Sequence, residues 1–195
     1  MEATLSDLLA VTAAVARGVG TPAELYLVNR TSHLAEGWTD RVPVLELAGS
    51  AAGDVHHVAK RVAASRDIEV VWESPADIVP LPVGWRKRAR PASNTELNTH
   101  QMLTVRHFDP YGVVLRLIAR GDEPDYVAAI EYFRHGWVDM LTLDELIIEM
   151  LPHMNLATIA QDAAEFRRKF KGLRQLWASE TARAEALGFT AGTWA

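Results

Sequence analysis

The chain has 195 residues, no cysteine, 49% apolar side chains and a formal charge of −5. That suits one domain with an appended helical part, or two small ones; disulfides, thiolate zinc sites and a cysteine nucleophile are excluded, and a reducing, cytoplasmic compartment is expected. The acidic balance argues against coating nucleic acid through the overall field, while leaving room for a local basic patch.

The first twenty residues, MEATLSDLLAVTAAVARGVG, are apolar, but Glu2 and Asp7 stand where a signal peptide has basic residues and Arg17 interrupts before spanning length. They predict an amphipathic helix opened by a Thr4–Asp7 capping box and closed by Gly18 and Gly20, with no membrane segment. ELYLV at 24–28 predicts a short buried strand, followed by a polar turn with a small helix, and VPVLEL at 42–47 predicts a second strand. DVHHVAKRVAAS at 54–65 places Val55, Val58, Ala59 and Val62 on one helical face, crossing back to a third strand, DIEVVW, at 67–72. His56 and His57 are adjacent on that helix rather than four apart, so they lack metal-ligand spacing and read as surface residues.

SPAD at 74–77 predicts a helical turn, followed by the proline-punctuated IVPLPVGW. WRKRARP at 85–91 predicts an exposed loop or short helix, and MLTVRHF at 102–108 the last strand. Asp109-Pro110 starts the helix PYGVVLRLIAR, which Gly121 ends; Asp122 and Pro124 open the next. A Thr142–Glu145 capping box is expected for LDELIIEML, with one or two further helices over 157–187. Ile147, Ile148, Met150, Leu151 and Met154 read as core or helix interface, and Phe166 with Phe170 as a possible concealed dimer contact; the oligomeric state is open. The expected organisation is an α/β domain over 1–108, with a small mixed sheet flanked by helices, and an all-helical part over 109–195.

This order of segments, with SPADIV at 74–79, LPVGWRKR and HFDPYGVVLRLIARG, resembles a prokaryotic nucleotidyltransferase-like family allied to toxin–antitoxin and abortive-infection systems, over about residues 5–170. The resemblance implies a nucleotidyltransferase-like α/β core and a magnesium-dependent transfer from a nucleoside triphosphate. Such chemistry needs carboxylates converging on a cation that bridges the phosphates, two of them at i and i+2 on one strand and a third on its neighbour. It also needs a Gly-Gly and hydroxyl turn whose bare backbone can approach the phosphates.

Those positions are altered here. Asn29 and Arg30 stand where the paired glycines belong, followed by Thr31 and Ser32; Val44-Leu45-Glu46 replaces Asp-x-Asp, and the third acidic position falls on Val71. Asp40 and Glu69 are the carboxylates that could rebuild a cation site with Glu46, and Glu46, buried in an apolar strand, needs a wet cleft or a pairing with Arg30 or Arg116. Arg116 replaces the family lysine and Asp125 matches its acidic partner; together they suit either nucleotide binding or an ion pair between adjacent helices. Trp85, Arg86, Lys87 and Arg88 match the stretch where an RNA acceptor would lie, with a solvated loop anchored by Trp85 as the plainer reading. His107 is expected to orient the Asp109 turn.

The favoured expectation is a catalytically degenerate relative, a pseudoenzyme without metal or cofactor, acting by binding nucleotide, RNA or a cognate protein partner. The alternative is an active magnesium- and triphosphate-dependent enzyme modifying tRNA, a protein or a small molecule, with Glu46 and Asp40, joined by Glu69, as its metal ligands.

Overall fold

The structure, a computed structural model, describes residues 1–49, 52–154 and 162–188. It divides into two compact units, Met1–Ser74 with Arg86–Asp109, and Pro75–Trp85 with Pro110–Ala195. The proline-rich segment 75–85 therefore clusters with the helical residues and not with the sheet that it follows in sequence.

The first unit is α/β. Its elements are α1 (Leu5–Gly18), β1 (Ala23–Leu27), α2 (Arg30–Glu36), β2 (Leu45–Gly49), α3 (Ala52–Ser65), β3 (Val70–Trp72), α4 (Trp85–Arg88, a single turn at the boundary of the units), β4 (Arg90–Pro91) and β5 (Leu103–His107). The five strands form one mixed sheet in the order β3-β2-β1-β5-β4. β1 pairs antiparallel with β2 and parallel with β5, β2 runs parallel to β3, and β4 antiparallel to β5.

Period-2 alternation divides the sheet into two faces. Leu25, Leu27, Leu45, Leu47, Val70, Leu103 and Val105 lie on one, in a single buried cluster with Leu8, Val11 and Val15 of α1 and Val55, Ala59 and Ala63 of α3. The two helices also pack directly on each other. α1 starts as the sequence predicts: the Thr4 backbone N–H and hydroxyl both donate to Asp7, which also accepts from Arg66, beyond the end of α3, at 2.6 Å. Burial pushes the Asp7 carboxyl up, but the bonds from Thr4 and Arg66 outweigh it and hold it below the ordinary range.

Gly49 is where β2 passes closest to its neighbours. A Cβ there would stand 2.7 Å from the Glu24 carbonyl oxygen and 3.2 Å from the Trp72 ring. The backbone oxygen cannot withdraw without breaking the β1–β2 ladder, so Gly49→Ala is expected to cost about 1–3 kcal/mol by overpacking, read as a lower urea midpoint at unchanged m-value.

From Pro110 onward the second unit is built of helices joined by turns: α5 (Pro110–Arg120), α6 (Glu123–Arg134), α7 (Met140–Met150) and α8 (Ala163–Ala186). α5 is its centre, with Val113, Val114, Leu115, Leu117 and Ile118 all buried, packed against α6 and α8. Gly121, at φ 74°, ends α5. The freed carbonyls of Ala119 and Arg120 accept from Lys169 Nζ of α8, a cation placed at a helix C-terminus. Among the described residues, no helix is long and apolar enough to cross a membrane.

Several expectations need correction. The second strand starts at Leu45, not Val42: Pro43 has no N–H for a ladder, and Val42 instead forms an isolated bridge with Ala3. β4 lies in a stretch expected to be loop or short helix. α7 starts at Met140 with Asp139 as its cap, accepting from Thr142 N–H at 2.8 Å and from the Tyr111 hydroxyl at 2.6 Å, so Thr142 receives the cap rather than forming it. Of the expected apolar stripe, Ile147 and Met150 are buried but Ile148 is 71% exposed. Phe166 and Phe170 are buried within the chain, which removes them as a dimer contact; residues 157–161 of that expected segment lie outside the described residues.

Candidate functional site

The sheet face opposite the apolar cluster carries the polar side chains. By alternation it includes Glu24, Tyr26, Glu46, Ala48, Val71 and Arg106. Tyr26 is buried against Phe108, edge to face at 5.7 Å, and its hydroxyl donates to Glu24 at 2.8 Å. Burial and the Glu24 carboxylate push its pKa up to about 12.

At the end of β1 the chain reaches Asn29, whose φ of 51° and ψ of −127° lie in a region that side chains rarely adopt. This is a glycine's backbone carrying an asparagine, at a cost of about 1–3 kcal/mol. The side chain is put to use: Asn29 Nδ2 donates to Glu46 Oε1 at 2.9 Å, across the turn to β2. Glu46 is held from a second side, its backbone N–H donating to the Thr31 hydroxyl at 2.7 Å. Ser32 Oγ donates to the Leu27 carbonyl at 3.1 Å. Thr31 and Ser32 are both buried, so the two hydroxyls of the turn are engaged in fixing α2 to the strands; Arg30 is half-buried on the first turn of α2.

The register around Glu46 decides what this face can hold. Glu46 and Val71 are direct partners across the parallel β2–β3 pair, whereas Val44 precedes β2, in the bend after Pro43. Two of the three positions where the resemblance places carboxylates, 46 and 71, are therefore spatial neighbours. They present one carboxylate and one isopropyl group, and the carboxylate accepts from an amide.

The other candidate ligands do not supply the deficit. Asp40 is exposed in the loop before β2, and Glu69 is exposed at the start of β3, its carbonyl accepting from Leu45 N–H at 3.0 Å. Among the described residues, no group of three or more His, Cys, Asp or Glu side chains is placed to hold a metal ion. A magnesium ion demands near-octahedral oxygen ligation. Hydrocarbon at 44 and 71, with the Glu46 carboxylate engaged by Asn29, does not fit that demand.

In the second unit Arg116 is buried and meets Asp77 at 3.1 Å, while Asp125 is taken by Arg120 through two N–H bonds of 2.7 and 3.1 Å. The expected Arg116–Asp125 pairing gives way to these because Arg120, on the last turn of α5, reaches Asp125 directly across the Gly121 turn. In the basic run, Arg88 is tied down. It grips the fully buried Asp109 with Nε and one terminal nitrogen, the shortest contact being 2.7 Å. Arg86 and Lys87 are exposed and Trp85 is half-buried.

His107 is fully buried and its Nε2 lies 2.7 Å from Glu36 Oε1. Burial lowers its pKa, opposed by the Glu36 carboxylate. Glu36 also accepts from Ser93 N–H at 3.1 Å, so His107 ties β5 to the end of α2 and the strand-to-turn segment after β4. Sequence reasoning missed Asn29, Glu36 and Asp77 as members of these clusters. Only Asn29 had a signal, an asparagine at the point where a glycine was expected.

Comparison of the chain with protein-family models, with curated proteins and with solved structures found no match in any of the three.

Proposed function

We propose that this chain is a nucleotidyltransferase-type scaffold that no longer catalyses transfer and acts by binding: a nucleotide or RNA, or a cognate protein in a toxin–antitoxin or defence setting. The observation that carries this reading is the β2–β3 register, which sets Glu46 directly beside Val71, together with valine instead of aspartate at 44 and the Asn29 amide on the remaining carboxylate. A triphosphate binds with its own dication, and a cleft offering hydrocarbon to that cation cannot stabilise the charge that develops during transfer. The order of strands and helices, the polar sheet face and the glycine-like backbone at Asn29 support the scaffold assignment. The exposed Arg86 and Lys87 support an anionic ligand.

The test is transfer of label from each of the four α-labelled triphosphates, with magnesium or manganese, to tRNA, to the protein itself and to added protein. No transfer is expected above a heat-inactivated control. A transfer that disappears in Glu46→Ala would establish the active alternative. Binding is read separately: stabilisation by a triphosphate, if present, should be the same with magnesium or with chelator, because the protein supplies no ligands to the cation.

A further inference from the structure

β3 is an edge of the sheet. Its ladder to β2 uses alternate backbone groups: Leu45 N–H donates to the Glu69 carbonyl at 3.0 Å and Glu73 N–H to the Leu47 carbonyl at 2.7 Å. With Leu45 paired to Val70 and Leu47 to Trp72, a parallel ladder leaves the N–H and C=O of Val70 and Trp72 directed away from β2. Among the described residues, no hydrogen bond takes up these four groups. Beside this open edge runs a groove of about 600 Å³ between β3 and α3, lined by Lys60, Ala63, Ala64, Ile68, Glu69 and Trp72, among others.

We propose that this edge and groove receive one extended peptide segment of a partner protein, which adds a strand to β3 with basic residues on one face and small apolar residues on the other. The hydrogen-bonding groups supply the docking mode, and the charges select the occupant. Glu69, Val71 and Glu73 fall on one face by alternation, so an added strand meets a carboxylate near each end of β3 on that side. Ile68, Val70 and Trp72 fall on the other face, towards Ala63 and Ala64 of α3, where a small apolar side chain fits. Lys60 stands on that helix side and repels a cation there, which fixes which face of the peptide carries the basic residues. A second copy of this chain is the wrong occupant: antiparallel self-pairing centred on Val71 sets Glu69 against the Glu73 of the other copy, a like-charge contact that guards an edge against self-association. The inference does not rest on the nucleotidyltransferase reading, since the strand-adding groups are the outward backbone N–H and C=O of Val70 and Trp72.

The test is fluorescence anisotropy with a labelled heptapeptide alternating lysine and valine, against the full chain. Saturable binding is expected, with none for the alternating glutamate–valine peptide. N-methylating one alternate set of amides should weaken binding about tenfold or more, and methylating the other set much less, because only one set faces β3. Glu69→Lys, at an exposed position, should weaken it about two- to fivefold with unchanged circular dichroism. Three results would each overturn the proposal: absence of binding, equal effects of the two methylated sets, which reduces the contact to charge attraction, or retained binding in Glu69→Lys. Concentration-dependent dimerisation abolished by Val70→Pro, which removes an outward amide, would assign the edge to a second copy instead.

Discussion

Asn29→Gly combined with Val44→Asp and Val71→Asp is expected to create a divalent-cation site at Glu46. The register makes a carboxylate at 71 the direct neighbour of Glu46, one at 44 enters two residues before it in the chain, and removing the asparagine side chain releases Glu46 Oε1 from its amide donor. Glycine also accepts the φ of 51° without the strain that asparagine carries. The added carboxylates repel Glu46, so the variant should be less stable than the parent without metal. Magnesium should reverse the loss, by about 2.7 kcal/mol at a concentration one hundred times its dissociation constant. Calorimetric titration and thermal unfolding with and without magnesium read both effects. The Val44→Asp and Val71→Asp pair alone should bind more weakly, because Asn29 still competes for Glu46. A parent chain already stabilised by magnesium would show that the Val44 and Val71 positions do not limit the site.

The second large effect concerns Arg88. Its guanidinium, 26% exposed, holds an Asp109 side chain that is 0% exposed. Arg88→Ala takes this cation from a buried carboxylate at the junction of β5 and α5, and should cost roughly 3 kcal/mol or more. Lys87→Ala, at an exposed neighbour, should stay within about 0.5 kcal/mol. Urea unfolding distinguishes the two. Their effects on RNA binding should be the reverse in kind: Lys87→Ala should weaken any RNA affinity without touching stability, whereas Arg88→Ala should act through the fold. An unchanged midpoint in Arg88→Ala would mean that the pair is a solvent-exchanging contact and that Arg88 is available to a ligand.

The parts of the fold that were legible in the sequence are those whose residues satisfy a local rule. Leu25, Leu27, Leu45 and Leu47 alternate, Val55 and Ala59 repeat at helical spacing, and Thr4–Asp7 and Gly121 mark a start and a stop, so α1, β1, α3 and α5 follow from patterns of fewer than about fifteen residues. β4 did not, because Arg90–Pro91 is too short for a period and its pairing with β5 is set from outside. Val42 satisfied the strand pattern but is turned aside at Pro43, and its partner Ala3 lies 39 positions earlier, beyond any local window. The capping of α7 was misplaced by three residues because Asp139 and Thr142 are both good N-caps, and the Tyr111 hydroxyl that helps fix Asp139 comes from a distant helix.

At the site, the oddness of Glu46 in an apolar strand was readable, as was the replacement of the flanking ligand positions by valine. What a sequence cannot give is a dihedral angle: the glycine-like backbone at Asn29 follows from α2 beginning immediately after β1, and only that geometry delivers the amide to Glu46. Partner choice was equally hidden. Arg116 and Asp125 have the spacing of a facing pair, yet the helical turn at Gly121 hands Asp125 to Arg120 and leaves Asp77 to meet Arg116. Charges find the nearest partner the fold offers, and that choice is made by packing that sequence spacing does not record.

The most direct test of the central claim is manganese binding to the unaltered chain, followed by paramagnetic relaxation of water protons, in the presence of a non-hydrolysable triphosphate. Whatever enhancement the protein gives the manganese–triphosphate complex should be the same in the unaltered chain and in Glu46→Gln, because the cation takes no ligand from this site. A stoichiometric increase on adding the protein, lost in Glu46→Gln, would contradict the claim that the Glu46 site cannot ligate the cation.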